Sequence, residues 1–126
     1  MFATLEESAM VMERRLFVRF LMSGIVIVQS DLANTSTIDC DLINLSYNGI
    51  GAFSSKELVV GSKIKFLIIN MQLNVNLGGF GRVVFCNSEK YNGKDRYRVG
   101  IEIIDADREK IKSTLMSVRE TPEDKQ

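Results

Sequence analysis

Three arginines fall within six residues near the start of the chain, at Arg14, Arg15 and Arg19. In an extended segment side chains alternate between two faces, so Arg15 and Arg19 share one face. A guanidinium is a permanent planar cation that donates two parallel hydrogen bonds to a phosphate or to the O6/N7 edge of a guanine. The structural alternative for this cluster is the end of a helix, where cations interact favourably with the helix dipole.

A second polar cluster follows 25 residues after Arg19, at Asn44, Ser46 and Gly49. It combines an amide that donates and accepts, a hydroxyl group, and a glycine that lets another molecule approach the backbone. The same residue types occur in ordinary turns for backbone reasons alone. Each cluster is ambiguous by itself, whereas the two together indicate a small polar binding site.

The sequence offers little that could perform catalysis. It contains no histidine, and its two cysteines, Cys40 and Cys86, lack metal-ligand spacing. Asp39 and Asp41 share one face of a strand, where such carboxylates are usually just solvated. The glycines of residues 78–81 lack the G-x-G-x-x-G spacing of a phosphate-binding loop. We therefore expect no catalytic residue, no metal site and no cofactor, and a protein that is not an enzyme.

Composition narrows the class of protein further. The chain has 126 residues and equal numbers of basic and acidic residues, 16 each. A net charge of zero argues against a DNA- or RNA-binding protein, which depends on an excess of positive charge. Glu6 and Glu7 stand where a signal peptide would be basic, and no apolar run is long enough to span a bilayer. The expected location is the cytoplasm.

Hydrophobic periodicity predicts a mainly β protein. Residues 1–13 read as a short N-terminal helix, with Thr4 and Glu7 as its capping box. Six or seven short strands follow, and Asp105 or Asp107 is expected to cap a C-terminal helix. This pattern favours a small antiparallel six- to seven-stranded β-barrel with a helix at each end of the chain. We divide the chain into a helical arm (1–13), a barrel domain with its C-terminal helix (14–119) and a polar tail (120–126).

Several local features are also predicted. Phe17 to Val28 reads as one strand with a bulge or bend at Gly24. Asn70-Met71 is expected to close a tight hairpin, and Asn92-Gly93 a type I′ turn. The glycines of residues 78–81 are expected to form a barrel corner. Both cysteines are expected to be buried reduced thiols, and most of the strand-borne aromatic residues are expected in the core: Phe66, Phe80, Phe85 and Tyr97.

The spacing of the two polar clusters resembles the PilZ domain signature. Its two parts are Arg-x-x-x-Arg, at Arg15 and Arg19, and Asn-x-Ser-x-x-Gly, at Asn44, Ser46 and Gly49. The resemblance covers nearly the whole chain, and Asn44 stands where the family often has aspartate. It implies a barrel that binds cyclic di-GMP. Arg15 and Arg19 would contact phosphates and guanine Hoogsteen edges, Asn44 and Ser46 would hydrogen-bond a guanine, and Gly49 would keep the turn open.

The resemblance also implies a mode of action. Arg14 directly precedes the motif, and an arginine there is associated in the family with binding an intercalated ligand dimer. We hypothesise that ligand binding folds residues 14–19 against the polar turn and signals to an unidentified downstream protein. The sequence is compatible with a monomer and with a dimer. One alternative is a protein-interaction module with the same fold and no ligand. Another is a single-stranded nucleic-acid binder, which the zero net charge disfavours.

Overall fold

The computed structural model describes residues 19–30 and 36–119. Within these ranges the strands and the helix are β1 (Phe20–Leu21), β2 (Ile25–Ser30), β3 (Thr37–Leu45), β4 (Gly49–Ser54), β5 (Lys63–Asn70), β6 (Val75–Tyr91), β7 (Lys94–Ala106) and α1 (Arg108–Arg119). The helix predicted for residues 1–13, Arg14 and Arg15, and the tail 120–126 lie outside the described residues.

Six strands form a closed antiparallel barrel. Their order is β3-β2-β5-β6-β7-β4, and β4 pairs back onto β3 to close the ring. The short strand β1 is not part of this ring. It pairs with Asn44 and Leu45 at the end of β3, on the same edge of β3 that pairs with β2 over residues 37–41. The mainly β antiparallel barrel with a C-terminal helix is therefore confirmed.

Alternation along the strands fills the barrel interior with apolar side chains. On β4, for example, Ile50 and Ala52 are fully buried while Phe53 points to the outer face. The largest fully buried side chains of the strands are Val26, Val28, Leu45, Ile50, Phe66, Ile68, Leu77, Val83, Val99 and Ile101. Burying a side chain of this size contributes about 1.5–3 kcal/mol, so the interior stabilises the fold without a disulfide.

The bulge or bend predicted within Phe17 to Val28 is found at Gly24, where residues 22–24 separate β1 from β2. This glycine has a φ of 144°, and a Cβ atom there would lie 2.5 Å from the Ile69 carbonyl oxygen. Strands β1 and β2 nevertheless both pair with β3, with Phe20 opposite Leu45. The interruption therefore keeps Arg19 beside the end of β3.

Strand β6 differs from the prediction in the turn that precedes it. It runs unbroken through the glycines of residues 78–81 and changes register between Phe80 and Gly81, a bulge that is compatible with the predicted corner. The β5–β6 connection is a four-residue turn, 71–74, and not a tight hairpin at Asn70-Met71. The Asn92-Gly93 turn is confirmed, because both residues have the positive φ values of a type I′ turn, 52° and 78°.

Helix α1 closes one end of the barrel. Its apolar stripe, Ile111, Leu115 and Val118, is buried. Asp107 caps the helix, because its Oδ1 atom accepts a hydrogen bond of 3.1 Å from the backbone N–H of Lys110. Among the residues that the structure describes, no helix has the length and apolarity needed to cross a bilayer.

The two cysteines are free thiols in different surroundings. Cys40 is buried, as predicted, whereas Cys86 is only partly buried, contrary to the prediction. Burial raises the pKa of the Cys40 thiol, and this effect outweighs the lowering by its hydrogen bond with Ser54. Cys40 is therefore a neutral core side chain at physiological pH.

Candidate functional site

Arg19 and Asn44 are in direct contact on the outer face of the barrel. The Arg19 Nη1 atom donates a hydrogen bond of 2.9 Å to Asn44 Oδ1. A guanidinium has only donors, so the amide oxygen of Asn44 must face Arg19. The Nδ2 hydrogens are then the donors that Asn44 presents to any other partner. Asn44 is 8% exposed, whereas Arg19 is exposed.

Residues 46–49 form a turn that is closed by hydrogen bonds of Ser46. We call this turn the binding turn. The Ser46 backbone N–H donates to the Gly49 carbonyl oxygen over 2.9 Å. The Ser46 hydroxyl lies 3.3 Å from Asn48 Oδ1 and 3.5 Å from the Gly49 carbonyl oxygen. Ser46 is only 2% exposed, so its buried backbone and hydroxyl groups stabilise the conformation of the turn.

Arg19 also lies over the glycine of this turn. A Cβ atom at Gly49 would lie 3.0 Å from Arg19 Nη2 and 3.4 Å from the Ser46 hydroxyl. A side chain at this position would therefore push on the guanidinium and on Ser46 together. Glycine is needed at Gly49 for close approach rather than for backbone conformation.

The neighbouring glycines on the same face are covered in a similar way. Gly51 and Gly100 face each other across β4 and β7. A Cβ atom at Gly51 would lie within 3.1 Å of the Cγ and Nδ2 atoms of Asn44, and one at Gly100 would lie 2.7 Å from Cδ2 of Phe85. The amide of Asn44 and the ring of Phe85 thus lie over two adjacent glycines, Gly51 and Gly100.

We call the side chains of Arg19, Asn44 and Phe85 the planar layer. All three end in planar groups, and each covers one glycine of the outer face. Phe85 is 36% exposed, which corrects its predicted place in the core. A planar ring lying over backbone in this manner presents its outer face for stacking, while the guanidinium and amide beside it supply hydrogen-bond donors.

Two arginines of β7, Arg96 and Arg98, contact aromatic rings beside the planar layer. The guanidinium carbon of Arg96 lies 3.5 Å from the ring centroid of Phe53 and 3.9 Å from that of Tyr91. Arg96 is also paired with Glu89. The Arg98 guanidinium carbon lies 6.0 Å from the Phe53 centroid, and Arg98 is exposed. These contacts add positive potential next to Gly100, which favours an anion on this face.

The first residue of α1 contacts the binding turn. Arg108 Nη1 donates to the Tyr47 carbonyl oxygen over 2.8 Å, and Nη2 donates to the Ile103 carbonyl oxygen over 3.3 Å. The Ile103 backbone N–H in turn donates to the Asn48 carbonyl oxygen over 2.9 Å. The turn is therefore tied to both β7 and the start of the helix.

The structure brings together four of the six residues singled out from the sequence: Arg19, Asn44, Ser46 and Gly49. Arg14 and Arg15 lie outside the described residues. Sequence reasoning missed Phe85 and Arg108. The only signal for Phe85 was its aromatic character on a strand, and the signal for Arg108 was a cation at a helix start. Within residues 19–30 and 36–119, no group of three or more acidic or cysteine side chains is placed to hold a metal ion.

Solved structures with the same fold include two complexes with cyclic di-GMP. The PilZ domain of Escherichia coli YcgR with cyclic di-GMP has a TM-score of 0.67 at 18% identity, covering 89% of this chain and 96% of that one. Borreliella burgdorferi PlzA with cyclic di-GMP has a TM-score of 0.63 at 8% identity, covering 92% and 56%. The Bacillus subtilis inhibitor of motility (MotI/DgrA) has a TM-score of 0.67 at 16% identity, covering 90% and 53%.

These comparisons differ in what they cover. The chain spans about half the length of the Bacillus and Borreliella proteins and nearly all of the Escherichia coli domain. A search of curated proteins found no match. The model of the PilZ domain matches residues 13–117, which include both polar clusters, all seven strands and most of α1. On this match, the chain belongs to the PilZ domain family.

Proposed function

We propose that this chain is a cytoplasmic receptor for cyclic di-GMP that is not an enzyme. The observation that carries the proposal is the convergence of Arg19, Asn44 and the binding turn on one outer face of the barrel. Two complexes with cyclic di-GMP among the structural neighbours support the choice of ligand. The proposed site consists of Arg14, Arg15, Arg19, Asn44, Ser46 and Gly49, extended by Phe85.

The chemistry of the ligand matches these groups. Cyclic di-GMP carries two phosphates and two guanines, and each guanine has an acceptor edge formed by O6 and N7. The guanidiniums of Arg15 and Arg19 donate to phosphate oxygens or to that edge. Asn44 has its oxygen committed to Arg19 and so donates through Nδ2 to a guanine acceptor. Phe85 supplies a ring face on which a guanine stacks.

A bidentate arginine–guanine contact contributes about 1–3 kcal/mol of discrimination against other bases, and stacking on an aromatic side chain contributes about 1–3 kcal/mol per base. Charge-assisted hydrogen bonds to the phosphates add to these contacts, and ordering the arginine side chains offsets part of the gain. We expect a Kd of about 1 μM or lower, which corresponds to about −8 kcal/mol.

Ligand binding acts in this proposal as a switch. Without ligand, the positive charges of Arg14, Arg15 and Arg19 repel one another. The ligand phosphates neutralise them, and the segment that carries Arg14 and Arg15 closes against the binding turn, which Arg19 already contacts. A downstream protein reads the changed surface, either on a monomer or on a dimer.

The test is calorimetric titration of the chain with cyclic di-GMP, with GTP and cyclic GMP as competing ligands. Saturable binding of cyclic di-GMP alone, lost in Arg15→Ala/Arg19→Ala, is expected. Lys65→Ala is the control, because Lys65 is an exposed cation on β5, opposite Gln29 of β2 and Phe80 of β6 and not on the strands that carry the site. Absence of binding by the folded wild-type chain contradicts the proposal and favours an interaction module that has no ligand.

A further inference from the structure

Arg108 stands at an electrostatically unfavourable position. It is the first residue of α1, where the helix dipole places partial positive charge and favours acidic side chains. Its neighbours Asp107 and Glu109 follow that rule, and Asp107 caps the helix. A cation at this position therefore needs a compensating interaction, and the contacts of its guanidinium supply one.

The guanidinium of Arg108 reaches back from the helix to the binding turn. It donates to the carbonyl oxygens of Tyr47 and Ile103, over 2.8 and 3.3 Å. Its carbon atom lies 5.2 Å from the ring centroid of Tyr47, within the range of a cation–π interaction. Arg108 is partly buried, so these hydrogen bonds are less exposed to competition by water.

The contacts form a closed cycle of hydrogen bonds. Ile103 accepts from Arg108 through its carbonyl oxygen and donates to the Asn48 carbonyl oxygen through its N–H. Tyr47 and Asn48 are the two central residues of the binding turn, between Ser46 and Gly49. Any displacement of the turn must therefore change the position of the Arg108 guanidinium or break its hydrogen bonds.

We propose that Arg108 is a positioning residue, which holds the binding turn in shape and couples it to the start of α1. This inference rests on the proposed function, since the turn it positions is the proposed guanine contact. Helix α1 is packed through its buried stripe of Ile111, Leu115 and Val118. A shift at its first residue therefore moves the whole helix. Ligand binding at the turn thus changes the position of α1 at the end of the barrel.

The test compares Arg108→Gln with Lys110→Gln, which removes a cation from an exposed position in the same turn of the helix. Hydrogen exchange is measured first without ligand. Arg108→Gln is expected to speed exchange of the Ser46 and Ile103 amides about tenfold, because the Ile103 amide is bonded within the cycle and the Ser46 amide closes the turn that the cycle holds; Lys110→Gln leaves both unchanged. Equal exchange in the two variants overturns the positioning role. If Arg108→Gln does not fold, the test uses Arg108→Lys, which keeps the positive charge but lacks the planar guanidinium that donates to two acceptors.

The coupling is measured with cyclic di-GMP added. In the wild-type chain, ligand is expected to slow exchange of the Lys110 and Ile111 amides at the start of α1. In Arg108→Gln the Kd rises about tenfold, and at saturation this effect on the helix is lost. An unchanged Kd together with a persisting effect on α1 contradicts the inference. If the wild-type chain binds no cyclic di-GMP, the proposed function fails, and the ligand-free exchange still decides the role of Arg108.

Discussion

Replacing Gly51 by alanine disturbs the geometry of Asn44 without removing any functional group. The new methyl group would collide with Asn44 Oδ1 and would lie within 3.1 Å of the Cγ and Nδ2 atoms, so the side chain of Asn44 must shift. The amide must therefore rotate away from β4. That rotation breaks the hydrogen bond of 2.9 Å between Arg19 and Asn44, and it redirects the Nδ2 donors.

The size of the effect follows from this lost bond. A hydrogen bond to a charged group contributes about 1.5–3 kcal/mol when buried, and the exposure of Arg19 places this one near the lower limit. A loss of about 1.4 kcal/mol corresponds to a tenfold rise in Kd. Folding stability changes less, because alanine lowers the entropy of the unfolded chain by an amount equivalent to about 0.4–1 kcal/mol.

The assay is calorimetric titration of Gly51→Ala with cyclic di-GMP, with Gly78→Ala as the matched control. Gly78 is likewise a strand glycine, although it is exposed whereas Gly51 is buried, and a Cβ atom there would make only ordinary contacts of 3.5 and 3.7 Å, with Phe66 and Leu67. We expect binding about tenfold weaker for Gly51→Ala and unchanged for Gly78→Ala. Wild-type affinity in a folded Gly51→Ala variant refutes the reasoning that the pose of Asn44 matters.

Three other predictions concern the ring, the helix and the core thiol. Phe85→Leu should weaken cyclic di-GMP binding by about 1 kcal/mol or more in calorimetry, whereas Phe80→Leu, equally exposed, should not; equal effects contradict a stacking role. Asp107→Ala should lower the free energy of unfolding in urea by about 1 kcal/mol, and no loss argues against the cap. Burial raises the pKa of Cys40 above its ordinary 9.0, so the thiol ionises first in the unfolded chain. Urea midpoints should therefore fall as pH rises above 9.0, and less so in Cys40→Ala; identical pH profiles contradict this.

The spacing of the two motifs accounts for the contact between Arg19 and Asn44. Arg19 precedes a strand that pairs with β3, and Asn44 lies near the end of β3, so antiparallel register brings them together. Ser46 and Gly49 then follow within one turn. The interruption at Gly24 did not disturb this arrangement, because β1 and β2 pair with the same edge of β3.

The sequence placed Phe85 in the core because polar and apolar residues do not alternate around it. Residues 83–86 are all apolar, so neither face of the strand is marked by polar residues. A register shift between Val83 and Phe85 then turns the phenylalanine outward, onto Gly100. Local sequence does not predict such a bulge, since it depends on how β6 pairs with β7.

The glycines of residues 78–81 also have a packing role that the sequence did not predict. A Cβ atom at Gly79 would lie 2.8 Å from the ring of Phe66, and one at Gly81 would lie 2.7 Å from the side chain of Ile101. Close packing against core side chains therefore requires small residues at these two positions, in addition to the bulge between Phe80 and Gly81.

The most direct test of the account is where cyclic di-GMP lies on the barrel. Isotope-filtered nuclear Overhauser spectra of labelled chain with unlabelled ligand report the protons that are in contact. We expect guanine H8 to contact the ring of Phe85, with the Nδ2 protons of Asn44 shifted. Contacts confined to another face, such as the outer side of β2 and β5, or no contacts in a folded chain, contradict the central claim.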